Sequence, residues 1–317
     1  MGCLLLETDQ IGCYDAAGRP VPCEGSGQDA VRPKKGPASA DRFQTQGEVV
    51  LDVVTGALWS RNANPADFPL TWDEACDVAA AMAARRMHGH AHWQLPSRRL
   101  LFSLISHQAV NPALPGGHPF TNVFSGYYWT AESCHRFPEQ VWHIHLGGGR
   151  VTRANKQDAS LVWPVSLSEM DVADVFKTGE RFVLEGETAR DIHTGLIWSR
   201  DADPVGGPLS WEESLSAMEV LNRAALHGAT DWRVPTIREL ESLVDLSADS
   251  PALQPGHPFL NVRDAYWSST TSLYEPRYAW AFYTRDGMVG VGFKPDAGFH
   301  LWPVRGNPVA SMGRICI

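Results

Sequence analysis

Histidine is unevenly spread in this 317-residue chain: eight of its twelve imidazoles fall before residue 146. They gather in MHGHAHW (87–93) and in HIH (143–145). His143 and His145 are two apart, so on an extended strand they project from one face and could grip a transition metal if a third ligand joined them. The competing reading is an exposed polar strand face, and the expectation is a chain without metal or cofactor. No CxxC pair, HExxH, GxSxG or phosphate-cradling glycine loop is present, which weighs against an enzyme.

The cysteines carry more information. Cys13 and Cys23 flank a Gly/Pro-containing loop and suit a small staple, worth about 3 kcal/mol by chain entropy. Cys76 and Cys134 lie at positions where the second half of the chain has Leu215 and Ser272. Their joint absence there predicts that they bond each other, for about 4 kcal/mol. Cys3 and Cys316 remain, one near each end, and form the last expected pair. Six cysteines admit fifteen pairings, and six reduced thiols is the competing reading. Disulfides place the protein outside the cytoplasm: secreted, periplasmic or on the cell surface. The opening MGCLLLETDQ lacks the basic region and long apolar stretch of a signal peptide, so either the protein is cytosolic or a leader has been removed, and the cysteines favour the second.

A repeat organises these residues. With a shift of 139, Trp59 meets Trp198, PALPGGHPFTNV (112–123) meets PALQPGHPFLNV (251–262), and Trp163 meets Trp302. All twelve tryptophans sort into six equivalent pairs. A period this long marks a duplicated domain, since solenoid repeats span roughly 20–50 residues. Tryptophan buries a large ring and its N–H needs an acceptor, so the pairs are read as framework.

Within each copy the pattern is mixed. EVVLDVVTGALWSR (48–61) reads as strand, turn and strand. TWDEACDVAAAMAARR (71–86) and SWEESLSAMEVLNRAA (210–225) are amphipathic helices capped by Thr71 and Ser210. Ser97 caps a second helix in the first copy, and TIRE (236–239) forms a capping box for its partner. Proline- and glycine-containing loops follow at 108–126 and 247–264, then short strands up to SLVWPVS (160–166) and HLWPVR (300–305). Early helices and a strand-rich end make each copy an α+β domain.

The motifs TGLIWSR, SWEESL, DWRVPTIRELESL, AYWSST, AWAFYTRDG and LWPVR together resemble the Lcl C-terminal-like domain, named for the Legionella collagen-like adhesin. The resemblance covers about 42–166 and 181–306, and CYDAAGRPVPCEGSGQDA (13–30) is similar to a segment such proteins carry ahead of the domain. It implies two tandem C-type-lectin-like domains, each with two helices and a twisted, mostly antiparallel sheet, related to the formylglycine-generating-enzyme core. It also implies secreted or surface bacterial proteins, some of which bind glycans. The expected boundaries are an N-terminal segment (1–41), domain 1 (42–166), a short helical linker (167–180), domain 2 (181–306) and a tail (307–317).

The first copy departs from the pattern. It writes HWQLP where the second writes DWRVP, and LVWPV without the closing Arg305. Asp231 and Arg233 are thus lost together, as His92 and Gln94, which predicts that they pair with each other or share a partner at the helix start. The sugar-binding calcium signature is absent; Glu275, Pro276 and Arg277 are the nearest fragment, and an arginine there repels the ion. The late reactive cysteine pair of the formylglycine-generating relatives is also missing.

If identity between copies marks framework, difference marks recognition. The first copy offers His135, Arg136, Glu139, His143, His145, Arg150, Arg153, Asn155 and Lys156; the second offers Tyr274, Glu275, Arg277, Tyr278, Tyr283, Arg285 and Asp286. Ordinary solvated strand faces are the competing reading. Copy 1 (42–165) carries ten basic and nine acidic residues against eleven and seventeen in copy 2 (181–305), so the two are not expected to bind the same thing. A net charge of −9 argues against a nucleic-acid surface, and no apolar run is long enough to span a membrane. The expected function is non-enzymatic binding or adhesion to a glycan or protein ligand. A structural subunit of a surface filament or envelope complex, and a formylglycine-generating-enzyme-like catalyst, are the alternatives.

Overall fold

The computed structural model describes residues 5–34, 39–167 and 181–308. The first copy (39–167) is one compact unit, and the second (181–308) forms another together with the N-terminal segment 5–34. That segment carries a hairpin, β1 (Cys13–Tyr14) and β2 (Pro20–Val21), closed by the expected Cys13–Cys23 disulfide.

In the first copy, α1 (Ser39–Arg42) leads into an antiparallel meander of β3 (Phe43–Gln46), β4 (Val49–Asp52) and β5 (Leu58–Ser60). Then come α2 (Trp72–Ala84), the two-residue β6 (Trp93–Gln94) and α3 (Arg98–Ser103). A second antiparallel meander follows: β7 (Tyr127–Ser133), β8 (Gln140–His145) and β9 (Val151–Asn155). The closing β10 (Val165–Ser166) slots between β5 and β6, returning the end of the copy to its start.

The second copy repeats this plan. A meander of β11 (Phe182–Glu185), β12 (Thr188–Asp191) and β13 (Ile197–Ser199) precedes α4 (Trp211–Arg223) and α5 (Ile237–Glu241). The late meander is β14 (Tyr266–Thr271), β15 (Tyr278–Tyr283) and β16 (Met288–Phe293), and β17 (Val304–Arg305) returns to β13. The fold is therefore two tandem α+β domains, each with two α-helices between its meanders and mostly antiparallel sheets, the first preceded by the short α1.

Local chemistry accounts for the helix ends. Thr71, Ser210 and Thr236 each accept the N3 amide while Glu74, Glu213 and Glu239 reach back to the cap amide, satisfying donors that the helix leaves open. The runs 160–166 and 300–305 were expected to be strands, but only the last two residues of each form one, with single bridges at Ser160, Leu161 and His300. Pro164 and Pro303 have no N–H to give a ladder, and the tryptophan before each turns into the core instead.

The tryptophans are framework, as their pairing predicts. Eleven of the twelve are buried, and Trp59 meets Trp163 edge-on at 5.3 Å just as Trp198 meets Trp302 at 5.4 Å. Trp163 Nε1 donates to Ser60 O at 2.9 Å, matched by Trp302 Nε1 to Ser199 O at 3.0 Å. An equivalent buried ion pair recurs in the two copies, Arg42–Asp52 and Arg181–Asp191, both at 2.7 Å. Burial alone would raise the Asp191 carboxyl, but the Arg181 guanidinium and two further hydrogen bonds, from the His193 amide and the Thr194 hydroxyl, hold it below its usual range. The exception to tryptophan burial is Trp72, half-buried where its partner Trp211 is fully covered.

The linker reading at 167–180 concerns residues that, past 167, lie outside those described, as do Cys3 and Cys316 and hence their expected bond.

Candidate functional site

The late meanders hold the predicted recognition residues, but do not gather them on one surface. A six-residue strand such as β8 spans about 17 Å, so its two ends are separate places. The turn between β7 and β8 exposes His135, Arg136 and Glu139, with Asn155 exposed at the adjoining end of β9. Phe137 stands in that turn, 37% exposed, between the guanidinium groups of Arg136 at 5.2 Å and Arg153 at 5.6 Å. His145 and the exposed Arg150 sit at the opposite end. The second copy divides likewise: Tyr274, Glu275, Arg277 and Tyr278 at the turn, Tyr283, Arg285 and Asp286 at the far end. Glu275 and Arg277 pair with each other at 3.1 Å, Tyr278 packs on Phe293, and Asp286 is buried.

His143 is a correction. It is 7% exposed, sandwiched between Tyr127 at 4.0 Å and Trp129 at 5.5 Å, with Nδ1 3.1 Å from Ser160 Oγ. Burial pushes its imidazole down to about 4, so it is neutral at pH 7. His145, half-buried against Tyr127 at 4.7 Å, is also lowered, by burial and then by Arg150. In the second copy Ala281 stands for His143, and Phe299 fills the space, packing on Trp267 at 4.6 Å. The histidine therefore belongs to an alternative core packing. Among the described residues, no three His, Cys, Asp or Glu side chains group so as to hold a metal.

The expected Cys76–Cys134 bond is a second correction, because both are free thiols. Cys134 is buried and takes Arg153 Nη1 at 3.2 Å, while Cys76 packs from α2 against the Leu70, Ala75 and Trp129 cluster. Burial, then Asp73 and Asp77, raise the Cys76 thiol above its ordinary range.

Asp231 and Arg233 are the third. They do not pair with each other. Arg233 forks onto Glu239, both contacts at 2.7 Å, and so does hold the helix start; Asp231 takes Arg305 at 2.9 Å. The first copy has lost both pairs whole, with Gln94 and Leu100 for the one, His92 and Ser166 for the other.

The N-terminal segment explains why Glu239 is charged. Arg32 Nη1 reaches the same carboxylate at 2.7 Å. Burial works to raise Glu239, but Arg233 and Arg32 together hold it down at about 2. Around this contact the segment reads the second copy closely. Gln10 Nε2 donates to Thr271 O at 2.7 Å and its Oε1 accepts the Thr271 N–H at 2.9 Å. The buried Asp29 accepts from Thr270 Oγ1 at 2.6 Å and from Lys34 Nζ at 2.6 Å. Lys294 Nζ lies 4.0 Å over the Trp211 ring and donates to the carbonyls of Tyr14 at 3.1 Å and Asp15 at 3.3 Å. Burial pushes the Lys294 ammonium down to about 7, against Asp15 and Glu212. Between the stapled loop and α4 a cleft of about 470 Å³ remains, floored by Leu215, Met218 and Trp232 and rimmed by Asp15, Glu212 and Glu219.

None of these long-range contacts has a local signature. The one sequence signal was the loss from the first copy of charged residues in partner sets, which pointed at Arg233 without showing Arg32. No helix among the described residues is long and apolar enough to cross a membrane. No curated protein matches the chain. A family model described as the Lcl C-terminal domain matches residues 48–166 and again 187–305, the same two stretches that carry the paired tryptophans. The chain belongs to the Lcl C-terminal domain family, which it contains twice in tandem.

Proposed function

We propose that the protein is a non-catalytic, extracytoplasmic recognition protein that binds a glycan or a protein through the exposed turns of its late meanders. The observation that carries this reading is the β7–β8 turn of the first copy. There the exposed Phe137 has the exposed Arg136 at 5.2 Å and the half-buried Arg153 of β9 at 5.6 Å as cation–aromatic neighbours, on a framework whose tryptophans are otherwise shared with the second copy. Large apolar rings flanked by guanidinium groups are the usual anchors of recognition surfaces. Family membership supports an adhesin-like or binding role. The Cys13–Cys23 disulfide suits an oxidising compartment.

The test is a glycan array and an envelope pull-down run with the full chain and with an Arg136→Ala, Phe137→Ala variant. Binding that the variant loses, with unchanged unfolding midpoint, supports the reading. Binding to neither library, or binding indifferent to the variant, overturns it.

A further inference from the structure

The second copy uses one face to hold the N-terminal segment, and the duplication makes it possible to find the same face on the first copy. Lys156 matches Lys294: each accepts the amide of the capped tryptophan, Trp72 or Trp211, at its carbonyl, and each places its ammonium over that tryptophan's ring, at 4.6 Å and 4.0 Å. Asp73 matches Glu212, Cys76 matches Leu215, and 131–133 match 269–271. The covering differs. Ser269, Thr270, Thr271, Trp211 and Lys294 are all at most 1% exposed, whereas Ala131 is exposed and Glu132, Ser133, Trp72 and Lys156 are half-buried. The exposed 135–139 turn borders this face; in the second copy the corresponding Pro276 and Arg277 pack under Gly18 of the N-terminal hairpin.

Resting on the recognition reading above, we propose that this face of the first copy is the ligand site, and that its ligand is a segment of another polypeptide rather than a glycan.

The class of ligand follows from which contacts the two faces keep. On the second copy, Lys294 takes main-chain carbonyls and Glu212 Oε1 accepts the main-chain N–H of Ala16 at 2.9 Å. These two groups read a peptide backbone, and the first copy retains both, as Lys156 and Asp73. The contacts that read side chains have changed. Thr270 accepts the Ile237 amide at 3.2 Å and donates to Asp29; its counterpart Glu132 keeps the first contact, Oε2 accepting the Arg98 amide at 2.8 Å, but puts a carboxyl group where the donating hydroxyl stood. Glu239, which holds Arg32, is the buried Leu100. An aspartate at the Asp29 place would meet a second carboxyl group, Glu132, which burial already raises above its ordinary range and which a further anion would disfavour, and an arginine at the Arg32 place would find no carboxylate. The ligand is therefore not this chain's own N-terminal segment from a second copy. It is a segment that is basic or neutral where that segment has Asp29, and uncharged where it has Arg32.

The probe is an oxidised synthetic peptide of residues 8–34 carrying Asp29→Lys and Arg32→Leu, with the unaltered peptide as its comparison, added to the full chain. The half-buried Cys76 thiol lies on the proposed site and reports occupancy through its alkylation rate. Saturating altered peptide is expected to slow Cys76 alkylation about tenfold and to bind about tenfold more tightly than the unaltered one, the equivalent of one charge contact. Lys156→Met is expected to weaken it by a similar factor. No protection of Cys76, equal affinity for the two peptides, or indifference to Lys156→Met overturns the proposal. Glycan-array binding that depends on Arg136 and Phe137, without any peptide protection, would remove this inference and leave the broader recognition reading standing.

Discussion

Arg32 and Glu239 are 207 positions apart in sequence and 2.7 Å apart in space, and Leu100 occupies the place of Glu239 in the first copy. One carboxylate thus joins the N-terminal segment, through Arg32, to the Asp-Trp-Arg motif, through Arg233. Its charge is explained by its two partners, and its absence from the first copy by theirs.

Removing that carboxylate should unfold more than a helix cap. Glu239→Gln leaves two guanidinium groups facing a neutral amide in a buried place, and is expected to cost about 3 kcal/mol. Urea unfolding of the second unit checks it; a loss under about 1 kcal/mol would mean that the pair is solvated and carries little.

The same group sets an acid limit. Glu239 is held at about 2 against an ordinary 4.5, so the folded state keeps it ionised where the unfolded chain has taken up a proton. Its contribution, about 3 kcal/mol, is complete above pH 4.5 and is lost as the pH falls from there to about 2. In Glu239→Gln the slope of stability against pH over that window should flatten.

His143 gives the first copy a different window. Held at about 4 against 6.5, it stays neutral in the fold while the unfolded chain protonates. Stability is full above pH 6.5 and declines towards pH 4 by about 3 kcal/mol. An NMR titration should find its midpoint near 4; a midpoint near 6.5 would contradict the stacked, buried placement between Tyr127 and Trp129.

The core exchange between copies predicts a coupled pair. A methyl group at Gly292 would land on the rings of Phe299 and Trp267, while the first copy has Ala154 at that place and Ser160 where Phe299 stands. Gly292→Ala should cost about 2 kcal/mol by overpacking. Combined with Phe299→Ser, the loss should be smaller than the sum of the single changes by about 1 kcal/mol. Strict additivity would mean the two sites do not share space.

Thiol chemistry separates the cysteines described. Iodoacetamide should label Cys76 in the folded chain and Cys134 only after unfolding, with Cys13 and Cys23 unreactive until reduced. A mass shift showing Cys76 joined to Cys134 would contradict their placement as free thiols.

Much of the architecture was legible because it is local or repeated. Thr71, Ser210 and Thr236 announce helix starts through chemistry within four residues, and the tryptophan pairs announce a shared core through their spacing. Partner loss was a weaker signal. It identified the Arg233 charge as paired but named the wrong partner, since a missing pair does not say which two residues touched. It misled outright for Cys76 and Cys134, where two substitutions coincided without a bond. The candidate surface was least legible. Alternation placed His143 on the face of a strand without showing that Tyr127 and Ser160 would close over it. The covering of Lys294 by Tyr14 and Asp15 depends on contacts more than 270 residues apart.

The most direct measurement compares equivalent positions on the two faces. Ser133→Cys and Thr271→Cys variants of the full chain, each with Cys76 replaced by serine, would be alkylated under native conditions at pH 8. The N-terminal segment seals Thr271 and leaves Ser133 open, so the Ser133→Cys thiol should react about tenfold faster, and deleting residues 5–34 should bring the Thr271→Cys rate up to it. Equal rates in the intact chain would contradict the assignment of one covered and one open face.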